Sequence, residues 1–507
     1  MFLLNTSNLK YSLSNIVIIA DSDNRFFFLK VAENLKKKYN SKIWLYCTNK
    51  DEKFFYDKNI KNNSIISVNI MPSIYSGELN DSYDNLDDNE IINEAKKIEE
   101  YYNITISKLL ISNRHLGRGF APGGYGHPRS SYSEKSRYVD VLKIYIKIFK
   151  YWEKEFKDKS ISLVLNGDKD IAIACQKHNI YFRCITESKI DNLYYWGWDE
   201  YRNSPQIKHT FSSNIIAAGE ITDTIHNQPY TYHLLNKPKV IKNYALSKLP
   251  ILIAERILRQ IWWKLKGRQK SKGYYLTEMI KLFIRRAIDW KKINNLNNIK
   301  IRDLENVKFI YFPLHVEPET ALQTMSPEFY FQHAVICIIA GNLPAGYKLI
   351  IKENFGAVGR RPIQFYEQIA DIKNIKFADP LEPGIEFSKK AHITVTITGT
   401  AGFEAAVNGN HVISFGIHNT YNLMDHVHVI KELKNVPILI NKLLKLESTS
   451  IKSKQDGIRY YNSIKKISFD LKDYNFTLPQ NYNNEIINNC INQLIISLDF
   501  KNNNLLN

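Results

Sequence analysis

The stretch from Ala391 to Gly416 constrains this chain more than any other, because one short span reads as strand, small-residue turn, helix start and second strand. Ile393, Val395 and Ile397 alternate with threonines, which suits a strand with one face on a core. The strand stops at Thr398-Gly399-Thr400-Ala401-Gly402, where small residues let the backbone approach a ligand and hydroxyls can donate to an anion. Phe403 to Asn408 reads as a short helix ending at Gly409. The turn therefore precedes a helix N-terminus, where unpaired N–H groups and the dipole favour negative charge, with Glu404 in the first turn. The expectation is a site for a nucleotide or its phosphates. The competing reading is a turn whose glycines serve only the backbone and whose glutamate only complements the dipole.

The same alternation recurs along the chain. Asn15 to Ala20 reads as a buried strand, followed by a polar loop (Asp21, Ser22, Asp23, Asn24, Arg25), a helix to about Tyr39 and a strand over Lys42 to Thr48. Ser162 to Asn166, capped by Gly167-Asp168, is followed by a helix over Ile171 to His178 and a strand over Ile180 to Thr186. Strands at Val307 to Pro313, Tyr347 to Lys352 and Ile375 to Ala378 alternate with helices at Phe329 to Ala340 and Pro362 to Ala370. This pattern predicts an α/β chain with two doubly wound, Rossmann-like domains, whose ligands bind beyond the carboxyl ends of the strands. The expected division is an N-terminal domain over 1–245, a basic aromatic helical region over 246–300 and a C-terminal domain over 301–445. A helical tail over 446–507 is then a candidate to pack back on the N-terminal domain.

In the second domain His315, Glu317, Lys352, Arg360, the Thr398–Gly402 turn and Glu404 all fall at carboxyl strand ends. Asp21 takes that position in the first. No GxGxxG, Walker loop or metal-ligand spacing occurs, which argues against a dinucleotide enzyme or a P-loop ATPase. The span Ile111 to Ser131, rich in Gly and Pro, is too long for a simple connector. Its Arg114, His115, Arg118, His127 and Arg129 suit an acidic sugar or phosphate, and His115 suits proton transfer; a disordered surface loop is the alternative. The cluster Tyr194-Tyr195-Trp196-Gly197-Trp198 reads equally as a sugar-stacking platform or as cover for a core edge.

Ile251 to Lys292 interleaves Trp262, Trp263, Leu258, Leu265 and Trp290 with many basic residues, a pattern of helices in the interface of an anionic membrane or of ordinary interdomain helices. The net charge of the 507-residue chain, +18, points the same way, toward phosphates as partners, although Lys-, Asn- and Ile-rich composition also follows from an AT-rich genome. The five cysteines are scattered with no CxxC, so neither a zinc site nor a disulfide framework is indicated and a reducing cytosol fits. No apolar run approaches the roughly 18 residues of a membrane span and no signal-type N-terminus precedes Asn8. The expected location is cytoplasmic, peripheral at the inner face of the membrane.

Three segments together resemble the bacterial capsule polysaccharide biosynthesis family, which includes Kdo transferases. They are Tyr311-Phe312-Pro313-Leu314-His315-Val316-Glu317-Pro318-Glu319, Lys352-Glu353 with Gly359-Arg360 and Phe365-Tyr366, and Thr398 to Ala405 with Phe415-Gly416 and Tyr421. The match covers Val307 to Tyr421 well and the N-terminal half only loosely, through Asn166-Gly167-Asp168 and the Arg114-His115 loop. The resemblance implies the GT-B glycosyltransferase arrangement, two Rossmann-like domains facing a cleft. The activated sugar nucleotide, with CMP-linked donors among the candidates, would be bound mainly by the C-terminal domain and the acceptor by the N-terminal one. The chain departs from the family at Lys352-Glu353-Asn354-Phe355, where the family usually reads Lys-Glu-His-Pro and the His-Pro pair contacts the nucleotide. That leaves His315 or Arg360 to take its place.

The resulting expectation is metal-independent glycosyl transfer from a nucleotide sugar, with no cofactor, to a surface polysaccharide, oligosaccharide or glycolipid acceptor. Asp21, His115 or Glu317 would act as the base. His315, Lys352, Glu353, Arg360, Thr398, Gly399, Thr400, Ala401, Gly402 and Glu404 would hold the donor, and Arg114, Arg118, His127 and Arg129 the acceptor. A polyol phosphotransferase using a CDP donor, as in teichoic acid type polymers, and a non-catalytic capsule assembly protein are the rival readings. Nucleic acid is not an expected partner, since no recognised module accompanies the charge.

Overall fold

The computed structural model describes residues 13–20, 25–61, 63–73, 86–111, 127–130, 134, 136–214, 238, 241, 245–265, 274–296, 298–317, 319–326, 328–471 and 484–504. The expected sites Asp21, Arg114, His115 and Arg118 lie outside these residues. The chain divides into two compact units, residues 1–109, 136–213 and 462–507 in the first and 110–135 and 214–461 in the second.

The chain opens with β1 (Asn15–Ile19), α1 (Arg25–Tyr39), β2 (Lys42–Cys47), α2 (Lys50–Asn59) and β3 (Ser67–Ile70). Then come α3 (Asp88–Tyr102), α4 (Ile106–Ile111), α5 (Tyr138–Asp158), β4 (Leu163–Leu165), α6 (Lys169–Lys177), β5 (Tyr181–Glu187), β6 (Leu193–Gly197) and α7 (Pro205–Ser213). Two basic helices, α8 (Leu249–Leu265) and α9 (Leu276–Asn294), lead into β7 (Phe309–Pro313), α10 (Thr320–Met325), α11 (Gln332–Gly341) and β8 (Lys348–Lys352). The second sheet is completed by α12 (Ile363–Ala370), β9 (Ile375–Ala378), α13 (Gly384–Lys390), β10 (Ile393–Thr396), α14 (Thr400–Val407), β11 (His411–Ser414) and β12 (Val427–Val429). The chain ends with α15 (Val436–Leu443), α16 (Ile451–Ile467), β13 (Phe469–Asp470) and α17 (Asn484–Asn504).

The first sheet has the order β13-β6-β5-β4-β1-β2-β3, parallel from β5 to β3, with β6 and β13 antiparallel at one edge. β1 is central and starts the winding, so the strand order reverses between β1 and β4. Ile16, Val17 and Ile18 are fully buried, as expected of a strand covered on both faces. α3 is started by a capping box, Asp87 accepting from Glu90 N–H at 2.8 Å while the Glu90 carboxylate accepts from Asp87 N–H at 2.9 Å. It stops at Asn103 in the left-handed region (φ 52°).

α17 packs its Ile487, Cys490, Ile491, Leu494 and Leu498 row into the same core as α1 and β1. Arg183 on β5 is buried; its Nε donates to Ser497 Oγ at 2.9 Å and Nη2 to Ser497 O at 2.8 Å, and its guanidinium lies 3.7 Å from the Trp198 ring centroid. Trp196 is buried too, its Nε1 donating to Cys490 O at 3.1 Å. Of the two readings of the Tyr194–Trp198 cluster, the geometry supports cover for a core edge: these aromatics close β5 and β6 onto α17.

The second sheet, order β12-β11-β10-β7-β8-β9, is parallel throughout. β7 starts the winding, so the order reverses between β7 and β10. Successive residues divide between two faces. Ile310, Phe312, Leu349, Ile351, Ile393 and Val395 join one core, whereas Phe309, Tyr311 and Ile350 meet Phe387 of α13 in a smaller one. The sequence places the helix after β10 at Phe403; it begins at Thr400, because Thr400, Ala401 and Gly402 are small enough to be helical against the sheet. Glu404 therefore falls in its second turn, not its first. Gly409, in the left-handed region at φ 81°, follows the cap residue Asn408, in keeping with the expected stop.

Candidate functional site

In a doubly wound sheet the ligand crevice opens at the carboxyl ends of the two strands where the order reverses. In the second unit these are β7 and β10, and there His315 and Thr398 meet. The backbone N–H of Thr398 donates to His315 Nε2 at 3.0 Å. The other ring nitrogen, Nδ1, faces Gln332 Oε1 at 3.3 Å. Gln332 donates its Nε2 to His315 O at 3.1 Å and to Glu317 Oε2 at 2.9 Å, so its Oε1 must accept and Nδ1 must carry the proton. The tautomer is thereby fixed: His315 is a neutral strut between the end of β7 and the turn after β10.

The turn is held at a second point, where Gly399 N–H donates to Thr396 Oγ1 at 3.1 Å. A Cβ at Gly399 would stand 2.9 Å from His315 Nε2, and one at Gly402 would stand 2.3 Å from Thr396 Cγ2 and 2.8 Å from the Tyr421 hydroxyl oxygen. The N–H groups of Thr398 and Gly399 thus point inward to protein partners. Those of Thr400, Ala401 and Gly402 open α14 and have no intrahelical acceptor. Gly399 and Ala401 are half-buried and Thr400 is exposed, which makes this edge of the turn the part an anion can reach.

Adjacent residues at the end of β8 go to opposite faces. Glu353, buried, accepts from Asn354 N–H at 2.7 Å, from the Tyr366 hydroxyl at 2.5 Å and from Arg361 Nη1. Arg361, also buried, donates from Nε to Glu317 Oε2 at 3.3 Å and from Nη2 to His315 O. One buried cation therefore ties the ends of β7 and β8 together through two carboxylates. Burial pulls the Arg361 pKa down, and the Glu353, Tyr366 and Glu317 charges more than reverse this, so the guanidinium stays charged. Glu317 is pushed up, first by burial, with Arg361 and Gln332 opposing. These bonds hold Glu317 to Arg361 and Gln332, and Glu353 to Arg361, Tyr366 and the Asn354 N–H.

Lys352 turns to the other face, where its buried Nζ donates to Pro380 O at 3.1 Å and Glu353 O at 3.3 Å. Burial lowers its pKa to about 8, against the pull of Glu353, Asp379 and Glu382. On this same face Tyr311 stacks on Phe387 with ring centroids 5.5 Å apart, and half-buried Glu404 lies close enough to raise the Tyr311 pKa further after burial. The turn, Lys352 and Glu404 are the sequence-expected donor residues that the fold gathers on one sheet edge and face, beside the 380–384 loop. Arg360 is half-buried, while its neighbour Arg361 goes inward.

Sequence reasoning missed Arg361 and Gln332. The signal for Arg361 was the turn at Gly359, which sits at φ 77° with Arg286 so close that any Cβ would collide with its Cα at 2.7 Å. That turn reverses the chain and sends the second arginine of the pair inward. His127 and Arg129 lie elsewhere in the second unit, against α9: His127 Nε2 meets the Tyr274 hydroxyl at 2.6 Å and Arg129 bridges Glu134 and Glu278 at 2.9 and 3.1 Å.

In the first unit the Asn166-Gly167-Asp168 segment stands at the reversal between β1 and β4, beside Asp170, which sequence reasoning missed. Asn166 (φ 65°) and Gly167 (φ 132°) turn the chain sharply there, and Asn166 Nδ2 donates to Ile19 O at 3.2 Å. Asp168 and Asp170 follow at the start of α6, Asp168 exposed and Asp170 half-buried. Burial first and the charge of Asp168 second push the Asp170 carboxyl up to about 7. Among the described residues no group of three or more His, Cys, Asp or Glu has the arrangement of a metal site.

No family model matches the chain, and no curated protein does. Solved structures similar to it include the beta Kdo 2,7 transferase KpsC of Thermosulfurimonas dismutans, at 10% identity and TM-score 0.29, covering 61% of this chain and 79% of that one. A glycosyltransferase from Rickettsia africae matches at 10% identity and TM-score 0.29 over 96% of this chain and 98% of that one. Anabaena Alr3699/HepE, solved with UDP and glucose, matches at 9% identity and TM-score 0.30 over 90% and 98%. At these TM-scores the likeness decides nothing about activity, and the fold class rests on the two sheets themselves: the chain is α/β, with two Rossmann-like doubly wound units.

Proposed function

We propose that the chain is a GT-B glycosyltransferase that takes a sugar from a nucleotide donor held by the second unit and passes it to a hydroxyl of a cell-surface polysaccharide or lipid-linked acceptor. The observation that carries this reading is the strutted turn Thr398–Gly402 at the order reversal between β7 and β10. It offers the first N–H groups of α14 to an anion, with Lys352 and Glu404 on the same sheet face. In this reading those N–H groups and Lys352 bind the phosphates and stabilise charge on the departing nucleotide, and Glu404 accepts from the ribose hydroxyls. Arg360 is a further phosphate ligand, and CMP-linked sugars are among the donors to be tried. Asp170 is the general base, since a carboxyl near pH 7 in its titration accepts a proton from a hydroxyl more effectively than an ordinary one. It takes the place proposed for Glu317, which Arg361 and Gln332 occupy.

The test is turnover: release of nucleotide from a panel of CMP-, CDP-, UDP- and GDP-linked donors supplied with an oligosaccharide acceptor. The account expects one donor class to be used, and Asp170→Asn to lower kcat by about 100-fold or more while nucleotide affinity is unchanged. Turnover of CDP-polyols alone would favour the phosphotransferase, and no turnover with intact nucleotide binding would favour an assembly role.

The membrane contact is a second part of the proposal. None of the 17 residues of α8 is buried. Ile251, Leu258, Trp262 and Leu265 recur at helical spacing and are 60%, 67%, 46% and 79% exposed, with Arg256, Arg259 and Lys264 among them. Among the described residues no helix is long and apolar enough to cross a membrane. An apolar stripe with basic neighbours suits the surface of an anionic bilayer. Sedimentation with phosphatidylglycerol vesicles at low salt, lost in Leu258→Asp/Trp262→Asp, is the expected result; a protein indifferent to such vesicles would refute it.

A further inference from the structure

Tyr311 on β7 is only 1% exposed, yet its hydroxyl makes no hydrogen bond among the described residues. Packing does not call for that hydroxyl. Phe309, two residues earlier on the same strand face, enters the same small core without one, and the Tyr311 ring is already stacked on Phe387 with centroids 5.5 Å apart. A buried tyrosine hydroxyl as a rule finds a hydrogen-bond partner, so one that has none in the protein is left for solvent or a ligand to satisfy.

The surroundings of the hydroxyl select the ligand. It lies beside Gly384, the first residue of α13, where an added Cβ would stand 3.2 Å from it, so the missing side chain leaves its flank uncovered. Half-buried Glu404, in the second turn of α14, is near enough for its charge to add to burial in pushing the Tyr311 pKa upward. Tyr311 therefore stays protonated at any working pH and can both donate and accept, whereas the Glu404 carboxylate only accepts. A group that meets both must accept from one and donate to the other. A phosphate oxygen has no proton to give and is repelled by the carboxylate, and an ammonium has no lone pair; a hydroxyl does both. Glu404 follows Gly402, the last residue of the turn, by two positions. A hydroxyl held by this pair thus lies next to a phosphate held by the turn, as the ribose hydroxyls of a nucleotide lie next to its 5′-phosphate.

We infer that the Tyr311 hydroxyl donates to a ribose hydroxyl that in turn donates to Glu404, which makes Tyr311 a specificity-determining residue for ribonucleotides over their deoxy counterparts. The contact rests on the nucleotide proposed for the Thr398–Gly402 turn, and the experiment separates its failure from the failure of that reading.

The test is calorimetric titration of the full-length protein and of Tyr311→Phe with CMP, CDP, UDP and GDP and with the 2′,3′-dideoxy form of each. Phenylalanine keeps the ring and its stacking on Phe387, and the variant gives up no hydrogen bond to a described residue, so its Tm should match that of the wild type. The expected result is that the preferred ribonucleotide binds Tyr311→Phe about 10-fold more weakly, whereas its dideoxy form, already weaker with the wild type, binds both proteins alike. Equal weakening of both forms would give Tyr311 a purely structural part and overturn the contact, as would undiminished ribonucleotide binding by Tyr311→Phe. A wild type that binds none of the four nucleotides would overturn the nucleotide reading of the turn itself, and the contact with it.

Discussion

His315 Nε2 accepts the backbone N–H of Thr398 across 3.0 Å, and this one bond joins the ends of the two strands between which the second sheet reverses its order. Replacing His315 with Ala leaves the Thr398 N–H buried without its acceptor, at a cost of about 1–3 kcal/mol. Nucleotide affinity should fall about 10-fold or more as the turn loosens, with a lower Tm. Unchanged nucleotide binding in His315→Ala would mean the strut serves stability alone.

The Glu353–Arg361–Glu317 group gives a stability prediction. Removing one partner of a buried ion pair costs about 3–5 kcal/mol, because the other charge is left in a dry environment. Glu353→Gln should therefore lower the Tm markedly. The double variant Glu353→Gln/Arg361→Met should be less destabilised than the two single effects added together. Thermal melts of the four proteins form the cycle, and strict additivity would contradict a coupled group.

Lys352 carries a pH prediction. Burial sets its folded pKa at about 8, below the ordinary lysine value of 10.5. Between these values the unfolded chain binds more protons, so stability rises with pH across that window through this group. Binding of an anion follows the opposite course, since the ammonium is lost above about pH 8. Nucleotide affinity should decline from pH 7 to 9 in the wild type and show little slope in Lys352→Met, measured by calorimetry at constant ionic strength.

Three histidines around β11 and β12 govern the acid side. His428 is pushed down to about 4, first by burial and then by His411, and His411 and His426 are lowered for the same leading reason. A depressed histidine pKa means the unfolded state takes up protons first, so stability is complete above about pH 6.5 and is lost as pH falls toward 4. His428→Phe should flatten the dependence of Tm on pH over that interval.

Much of the fold was legible because the strands of a parallel sheet are covered on both faces and read as short β-branched apolar runs. β1, β7 and β10 needed no partner to be recognised. The start of α14 was misplaced by three residues, since Thr400, Ala401 and Gly402 are weak helix formers that the packing of Gly402 on Thr396 makes helical. Arg361 and Gln332 were missed because the fold, not the spacing, brings them onto His315 and Glu317; only the turn at Gly359 hinted at the first. Asp170 was passed over for a related reason: its unusual acidity comes from burial, which spacing does not report.

Glycine substitutions separate steric need from simple turn preference. Gly402→Ala forces a Cβ against Thr396 and should cost about 1–3 kcal/mol of stability, whereas Gly341, with nothing within 4 Å of its added Cβ, should tolerate Ala at no cost.

The most direct measurement is calorimetric titration of the purified protein with CMP, CDP, UDP and GDP, repeated with Glu404→Ala. The account predicts one preferred nucleotide, bound at least about 10-fold more weakly by Glu404→Ala at unchanged Tm. Binding of none of the four, or equal binding by wild type and variant, would contradict a nucleotide site at the turn after β10.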